Sequence, residues 1–396
     1  MYTLPEALLH ASAPDRTSYR PTILRPSVPA DRLRMEELLK THPRMVVHDD
    51  LHSQLRELVR CLNPSVRFTP EELDQAATDH LKGCEPHLYG VWVHYPWSDR
   101  LVHLLDEAEF ARVRTDRNRN KITAEEQAVL ATKKVGVIGL SVGQSVCLAM
   151  ALERSFGELR IADFDTLELS NLNRIRSGVH EMGHSKTVNV AREIAELDPY
   201  LKVTLFQEGA TSGNLDRFLL ENGPLDVLVD ECDSTEIKII CRQKAKTYGI
   251  PVVMDTSDRG LVDVERFDMD PNRSIMHGLL DHLDLSVAEI GMTPSQKYEY
   301  IMAMVGPSTL SDRMKDSLVE VGRTIVTWPQ LGGHVMLGGA LAGELCRRIL
   351  SMDGVPSGRW YADLDELLSD DASVLNVRKH RHNSTHTEDH LSPVKP

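Results

Sequence analysis

The sequence holds no C-x-x-C pair. Its six cysteines, Cys61, Cys84, Cys147, Cys232, Cys241 and Cys346, are scattered through 396 residues. That scatter argues against a four-cysteine zinc site and a disulfide scaffold, and it fits a reducing compartment, the cytoplasm. Positive charge is also short: 45 Lys and Arg stand against 59 Asp and Glu, a formal charge of -14. A chain this acidic is poorly suited to non-specific contact with nucleic acid or an anionic membrane. Long apolar runs are missing as well. The segment MYTLPEALLHASAPDR lacks the apolar centre of a signal peptide. The most apolar late stretch, Val335 to Leu345, is too short to span a bilayer and is broken by glycine. What is present is a hydrophobic share of 41%, ample for a packed core. The length allows roughly two or three domains.

Three parts are expected. Residues 1–112 mix helical patterns with strands and read as a small α+β domain. Thr69-Pro70-Glu71-Glu72 is a helix start, and Tyr89–Tyr95 and Leu101–Leu105 read as strands joined through Pro96-Trp97-Ser98-Asp99. Residues 113–350 alternate strand and helix. The strands are Val135–Leu140, Leu159–Asp165, Leu201–Phe206, Leu225–Asp233 and Ile250–Thr256, with helices opening at Thr123, Gly143 and Thr293 and one stretch from Glu181 reading as a helix stopped by Pro199. This alternation predicts a doubly wound, mostly parallel Rossmann-like sheet with helices on both faces. Residues 351–396 form an extension whose tail carries His380, His382, His386 and His390. Its polar composition reads as a disordered terminus, with metal binding the rival reading.

The chemistry is concentrated at the strand ends. Gly139 closes the first strand and Gly143 opens the next helix, whose N-terminus offers free N–H groups to a phosphate. Asp163 ends the second strand, 24 residues after Gly139, where an acidic side chain can hold ribose hydroxyls. Asp163-Phe164-Asp165 leads to Ser170-Asn171-Leu172-Asn173-Arg174, then to Lys186, and the fourth strand ends in Asp230-Glu231-Cys232-Asp233. Hydride transfer needs no Arg, Lys and carboxylates around the phosphates. Phosphoryl or nucleotidyl transfer does: the cations neutralise growing charge and an Asp holds Mg²⁺.

D-x-D, then S-N-L-N-R, then a spaced Lys, then D-x-x-D resembles the ThiF/MoeB/HesA superfamily, bacterial relatives of ubiquitin-activating enzymes. The likeness covers about residues 113–350 and includes Trp328-Pro329-Gln330-Leu331-Gly332. It is nearest to a bacterial subgroup joined to a nitroreductase-like domain, so a separate reductase is an expected partner. The resemblance implies ATP- and Mg²⁺-dependent adenylation of a carboxylate on a peptide or protein C-terminus, a side chain or a small acid. Gly139, Ser141 and Gly143 would line the nucleotide, with Asp163 and Asp165 beside it and Asp163 on the ribose. Asn171, Arg174 and Lys186 would contact the triphosphate. Asp233 would ligate Mg²⁺, supported by Asp230. Arg119, in Arg117-Asn118-Arg119-Asn120, would reach the partner's site in a homodimer.

The sequence departs from the family in three ways. Ser141, Val142 and Gln144 replace common glycines, and Val142 puts a branched side chain where backbone should approach phosphate. The zinc-binding cysteine pairs are missing, so no zinc is expected. No cysteine stands out as a thioester nucleophile, because Cys232 lies between Glu231 and Asp233, Cys241 follows an apolar pair and Cys346 sits in a buried-looking helix. The acyl-adenylate is therefore expected to pass directly to a nucleophile. Thr256-Ser257-Asp258-Arg259-Gly260 is a candidate acyl-substrate loop, with a plain turn as the rival. Lys238 reads as either a phosphate contact or a surface charge. Two other functions stay open: an NAD(P)-dependent oxidoreductase, which leaves Asn171, Arg174, Lys186 and Asp233 without roles, and a non-catalytic partner module, favoured by the altered glycine turn.

Overall fold

The computed structural model describes residues 15–369; the four tail histidines lie outside them. Eleven strands form two sheets among the described residues. The first combines β1 (Thr22–Leu24), β2 (Val46–Asp49), β3 (Val91–Tyr95) and β4 (Arg100–Leu104) in the order β1-β3-β4-β2. β3 and β4 pair as an antiparallel hairpin across the expected Pro96–Asp99 turn. Around this sheet lie α1 (Pro29–Thr41), α2 (Leu51–Leu62), α3 (Pro70–His80) and α4 (Glu107–Arg114). Thr69 caps α3 reciprocally with Glu72, which is why the helix begins there. Leu51, Leu55 and Leu58 of α2 bury against Ala77 and Leu81, the core of this small unit.

The second sheet carries the site. α5 (Ala124–Leu130) precedes β5 (Lys134–Ile138), α6 (Gly143–Glu153), β6 (Glu158–Ala162), α7 (Lys186–Leu197), β7 (Lys202–Phe206), α8 (Leu215–Leu220), β8 (Val227–Asp230), α9 (Thr235–Tyr248) and β9 (Val252–Thr256). β7-β6-β5-β8-β9 are parallel. The chain therefore leaves β5 in both directions, and the crevice at that reversal is where such sheets bind ligands. Apolar strands are needed because both faces are covered. Val135, Val137, Leu159 and Ile161 pack one way, toward α6 and α7. Ile138, Leu228 and Val252 pack the other, toward Phe218, Ile239 and Cys241.

Two strands extend the sheet beyond the sequence reading: β10 (Leu261–Glu265) and β11 (Gly358–Tyr361) add antiparallel at the β9 edge. Between them run α10 (Val287–Ile290), α11 (Pro294–Val305), α12 (Asp312–Leu318) and α13 (Gly332–Leu350), and α14 (Leu364–Leu367) follows β11. α13 crosses α6 at very close range: a Cβ on Gly339 would stand 2.4 Å from the Ser145 Cβ. The helix expected from Glu181 begins only at Lys186. Gly183, at φ +81°, turns the chain, and residues 183–184 bond back to Leu167 instead. Among the described residues no helix is long and apolar enough to cross a membrane.

Candidate nucleotide site

The turn after β5 is built by backbone demands. Gly139 has φ +86°, and a Cβ there would meet the Glu231 carbonyl oxygen at 2.5 Å, so only glycine fits. Gly143 begins α6, and its Cβ would strike Val137 at 2.7 Å. Val142 has a right-handed helical backbone, and its buried side chain lines a neighbouring cavity.

The other non-glycine positions tie the turn to the S-N-L-N-R segment. Arg174 Nη2 donates to Ser141 Oγ at 2.9 Å. Gln144 donates to the Arg176 carbonyl at 2.8 Å and accepts from the Arg176 N–H at 2.9 Å, so its amide is clamped at both ends to the chain two residues past that segment. Neither partnership is visible in sequence, because the partners lie 33 and 32 positions apart. Burial lowers the Arg174 pKa, with the Asp233 charge acting the other way. Its Nε is buried without a partner.

Asp163 is nine-tenths buried and serves the backbone first. Its carboxylate accepts from Leu140 N–H at 2.7 Å and from Asp165 N–H at 2.8 Å, fixing the turn relative to the end of β6. Burial raises its pKa against the nearby Lys186 charge. Lys186, buried at the start of α7, pairs with Asp165 at 2.7 Å. Asn171 is buried, and its Oδ1 accepts from Glu168 N–H at 3.0 Å, which leaves its amide NH₂ to offer a ligand. Gly139, Ser141, Gly143, Asp163, Asp165, Asn171, Arg174 and Lys186 thus gather around one helix N-terminus.

The β8 end separates two carboxylates with different tasks. Asp233 is exposed beside the cavity, within range of the Arg174 charge. Asp230 is fully buried and bonded to Arg242, with Lys238 Nζ at 3.3 Å. Burial opposes its charge, yet Lys238 and Arg242 hold its carboxyl below the usual range. Arg242, also fully buried, reaches Glu265 at 2.5 Å. Lys238 is not a free surface charge: it belongs to this ion network and lines the cavity. Among the described residues no three His, Cys, Asp or Glu are grouped for a metal. An Asp233 carboxylate, exposed and outside the ion network, fits a Mg²⁺ held mainly by phosphate and water; Asp230 does not.

Behind the turn, on the α6 and α13 side, lies a carboxyl pair that the sequence did not reveal. Glu231 Oε1 accepts the Asp255 N–H at 2.9 Å, and a Cβ on Gly338 would sit 2.0 Å from Asp255 Oδ2. Both Asp255 oxygens are buried without a partner. Burial raises Asp255 to about 6 and, with the Asp255 charge added, raises Glu231 well above its ordinary value.

The Thr256–Gly260 turn joins β9 to β10. Thr256, Ser257 and Asp258 line the cavity, whereas Arg259 staples the turn to Asp363, at 2.6 Å, and to Glu366. The Cys232 thiol is pushed well up, by burial first and then by Asp230 rather than Asp233. Cys147, Cys241 and Cys346 are buried and shifted upward by that burial. Arg119 stands apart from the cluster. It is about half exposed and 3.5 Å from Asp116, in a segment whose Asn118 bonds the Glu153 carbonyl at the far end of α6.

A parallel sheet reversing at β5, a glycine turn into a helix, and an Asp, Arg and Lys beside it define an α/β protein of Rossmann type with a candidate nucleotide site at that turn. Residues 115–274 match the model of the ThiF family, so this part of the chain is a ThiF-family domain of the ThiF/MoeB superfamily. It is 42% identical over 330 residues to the uncharacterized protein MT1398 of Mycobacterium tuberculosis, covering 82% of this chain and 46% of that one. It is 24% identical to tRNA threonylcarbamoyladenosine dehydratase 2 of Saccharomyces cerevisiae, over 58% of this chain and 56% of the relative. The chain thus spans about half the length of these relatives. A segment is 28% identical to the adenylyltransferase and sulfurtransferase MOCS3 of Dictyostelium discoideum, over 38% of this chain and 35% of that one. Among solved structures, Escherichia coli tRNA N6-threonylcarbamoyladenosine dehydratase in complex with ATP aligns at TM-score 0.45 and 15% identity, covering 63% of this chain and 98% of that one.

Proposed function

We propose that the chain adenylates a carboxylate with ATP and Mg²⁺. The observation that carries this reading is the Arg174–Ser141 bond, which places a guanidinium directly on the phosphate-binding turn beside Lys186 and Asp163. A relative named as an adenylyltransferase supports it. One carboxylate oxygen attacks the α-phosphorus, the bond to the bridging oxygen breaks, and pyrophosphate leaves with that electron pair. No general base is needed, because a carboxylate is ionised near neutral pH. The α6 N-terminus and the Asn171 amide bind the phosphates. Arg174 and Lys186 neutralise the charge that develops, and Lys186 exchanges Asp165 for phosphate as it does so. Asp233 would hold Mg²⁺, which would supply further positive charge to the triphosphate.

The acyl group then passes directly to an external nucleophile. The raised thiols support this step, since none of the five buried or half-buried cysteines is disposed to ionise. The location of Arg119 supports a homodimer. α6 is 11 residues long, about 16 Å, so Arg119 at its far end serves a site only through a second copy. The glycine replacements that favoured a non-catalytic module are occupied in bonding Arg174 and Arg176, which supports a working turn.

The test is pyrophosphate exchange, with ATP, Mg²⁺, labelled pyrophosphate and a panel of carboxylic acids. Exchange that depends on an added acid, and that falls at least about 100-fold in Arg174→Ala, is expected. Tight NADH binding without ATP binding would instead favour an oxidoreductase.

A further inference from the structure

Beside the turn lies a cavity of about 550 Å³, within the size range of pockets for drug-sized ligands. It is bounded by the β8–β10 ends of the sheet on one side and by α11 and α12 on the other. Val142 of the glycine turn and Asp233 line it, so one end of the cavity borders that turn. Its body is apolar and unusually soft: Met254, Met276, Met302, Met304 and Met314 line it, with Trp328 at the edge. Unbranched thioether chains adapt to an apolar ligand of irregular shape and offer a polar peptide backbone no hydrogen bonds. Four carboxylates, Glu231, Asp233, Asp255 and Asp258, and two cations line the pocket. Lys238 is neutralised by Asp230. Arg359 of β11 spends its Nε on Asp263 at 2.5 Å, while its buried Nη2 has no partner. An unpaired buried N–H costs stability until an acceptor arrives. Three strand spacings separate β8 from β11, roughly 14 Å across the sheet.

We infer that this cavity holds the acyl substrate, and that the substrate is an elongated apolar carboxylic acid with a hydrogen-bond acceptor at its far end. The inference rests on the adenylation reading for the reacting end only. The carboxylate faces the turn, the apolar body lies among the methionines, and the distal acceptor meets Arg359 Nη2.

Dodecanedioic acid, dodecanoic acid, succinic acid and a short polar peptide are the probes. Binding is followed by Trp fluorescence without ATP, and turnover by pyrophosphate exchange on the same chain. The expected result is binding of both long acids, with the dioic acid about tenfold tighter. Arg359→Met should bring the two affinities together, and Met302→Trp should block both while calorimetry still shows ATP bound. If ATP binds and only succinate or the peptide supports exchange, the inference fails and adenylation stands. If the long acids bind as expected but no acid supports exchange, the cavity assignment stands and adenylation fails.

Discussion

Gln144 illustrates how a single residue can look like a defect and act as a clamp. In a phosphate turn a glycine would be the ordinary choice, but here the amide ties Arg176 to α6 through two bonds. Replacing it by glycine, which restores the commoner pattern, is expected to weaken ATP binding rather than improve it. Calorimetric titration of Gln144→Gly checks the direction. Ser141→Ala removes the partner of Arg174 Nη2, and a bond to a charged group is worth about 1.5–3 kcal/mol. Exchange is therefore expected to fall roughly tenfold or more. Asp163 was legible in the sequence because strand end and spacing fix its place. The roles of Ser141 and Gln144 were not, because hydrogen bonds across more than thirty residues leave no local pattern.

The interface of α6, α13 and β9 is held by small residues. Gly339 lets α13 lie on Ser145, and Gly338 makes room for Asp255. Gly339→Leu would overpack this contact, at a cost of about 1–3 kcal/mol or more, read as a lower denaturant midpoint. The buried carboxyls give a pH signature. Burial raises Asp255 to about 6, while in the unfolded chain an Asp titrates near 4. As pH rises through that window the unfolded state releases its proton first. Stability from this group is thus fully present below about pH 4 and is lost as pH rises through about 6, by on the order of 1–3 kcal/mol. Asp255→Asn cannot ionise, so its stability relative to wild type should climb from about pH 4 to about pH 7 in urea melts. A flat difference would contradict the buried charge. The parallel strands were legible because both-face burial demands continuous apolar runs. β10 and β11 were not: β10 alternates Asp263 and Glu265 into an ion network with Arg242 and Arg359, and that pattern reads as polar loop.

For the whole molecule, the fold sets Arg174 at the N-terminal end of α6, with Lys186 paired to Asp165 at the start of α7, and Arg119 near the far end of α6. If two copies complete each other's sites, Arg119→Ala and Lys186→Ala should each be nearly inactive alone, and mixed dimers should regain exchange. A mixture no more active than its parts would contradict shared sites. The N-terminal unit is fixed to the same frame: Tyr200 bonds the Leu105 carbonyl at 2.7 Å, and Arg114 holds carbonyls at the ends of α6 and α7. Its α+β character was legible from the Thr69 cap and the β3–β4 hairpin, whereas its docking depends on contacts between distant segments. The most direct measurement is isotopic. A carboxylic acid that supports exchange, labelled with heavy oxygen in its carboxyl group, is incubated with ATP, Mg²⁺ and an acceptor. Attack at the α-phosphorus requires one labelled oxygen in the AMP released. Unlabelled AMP, or ADP and phosphate in its place, would contradict adenylation.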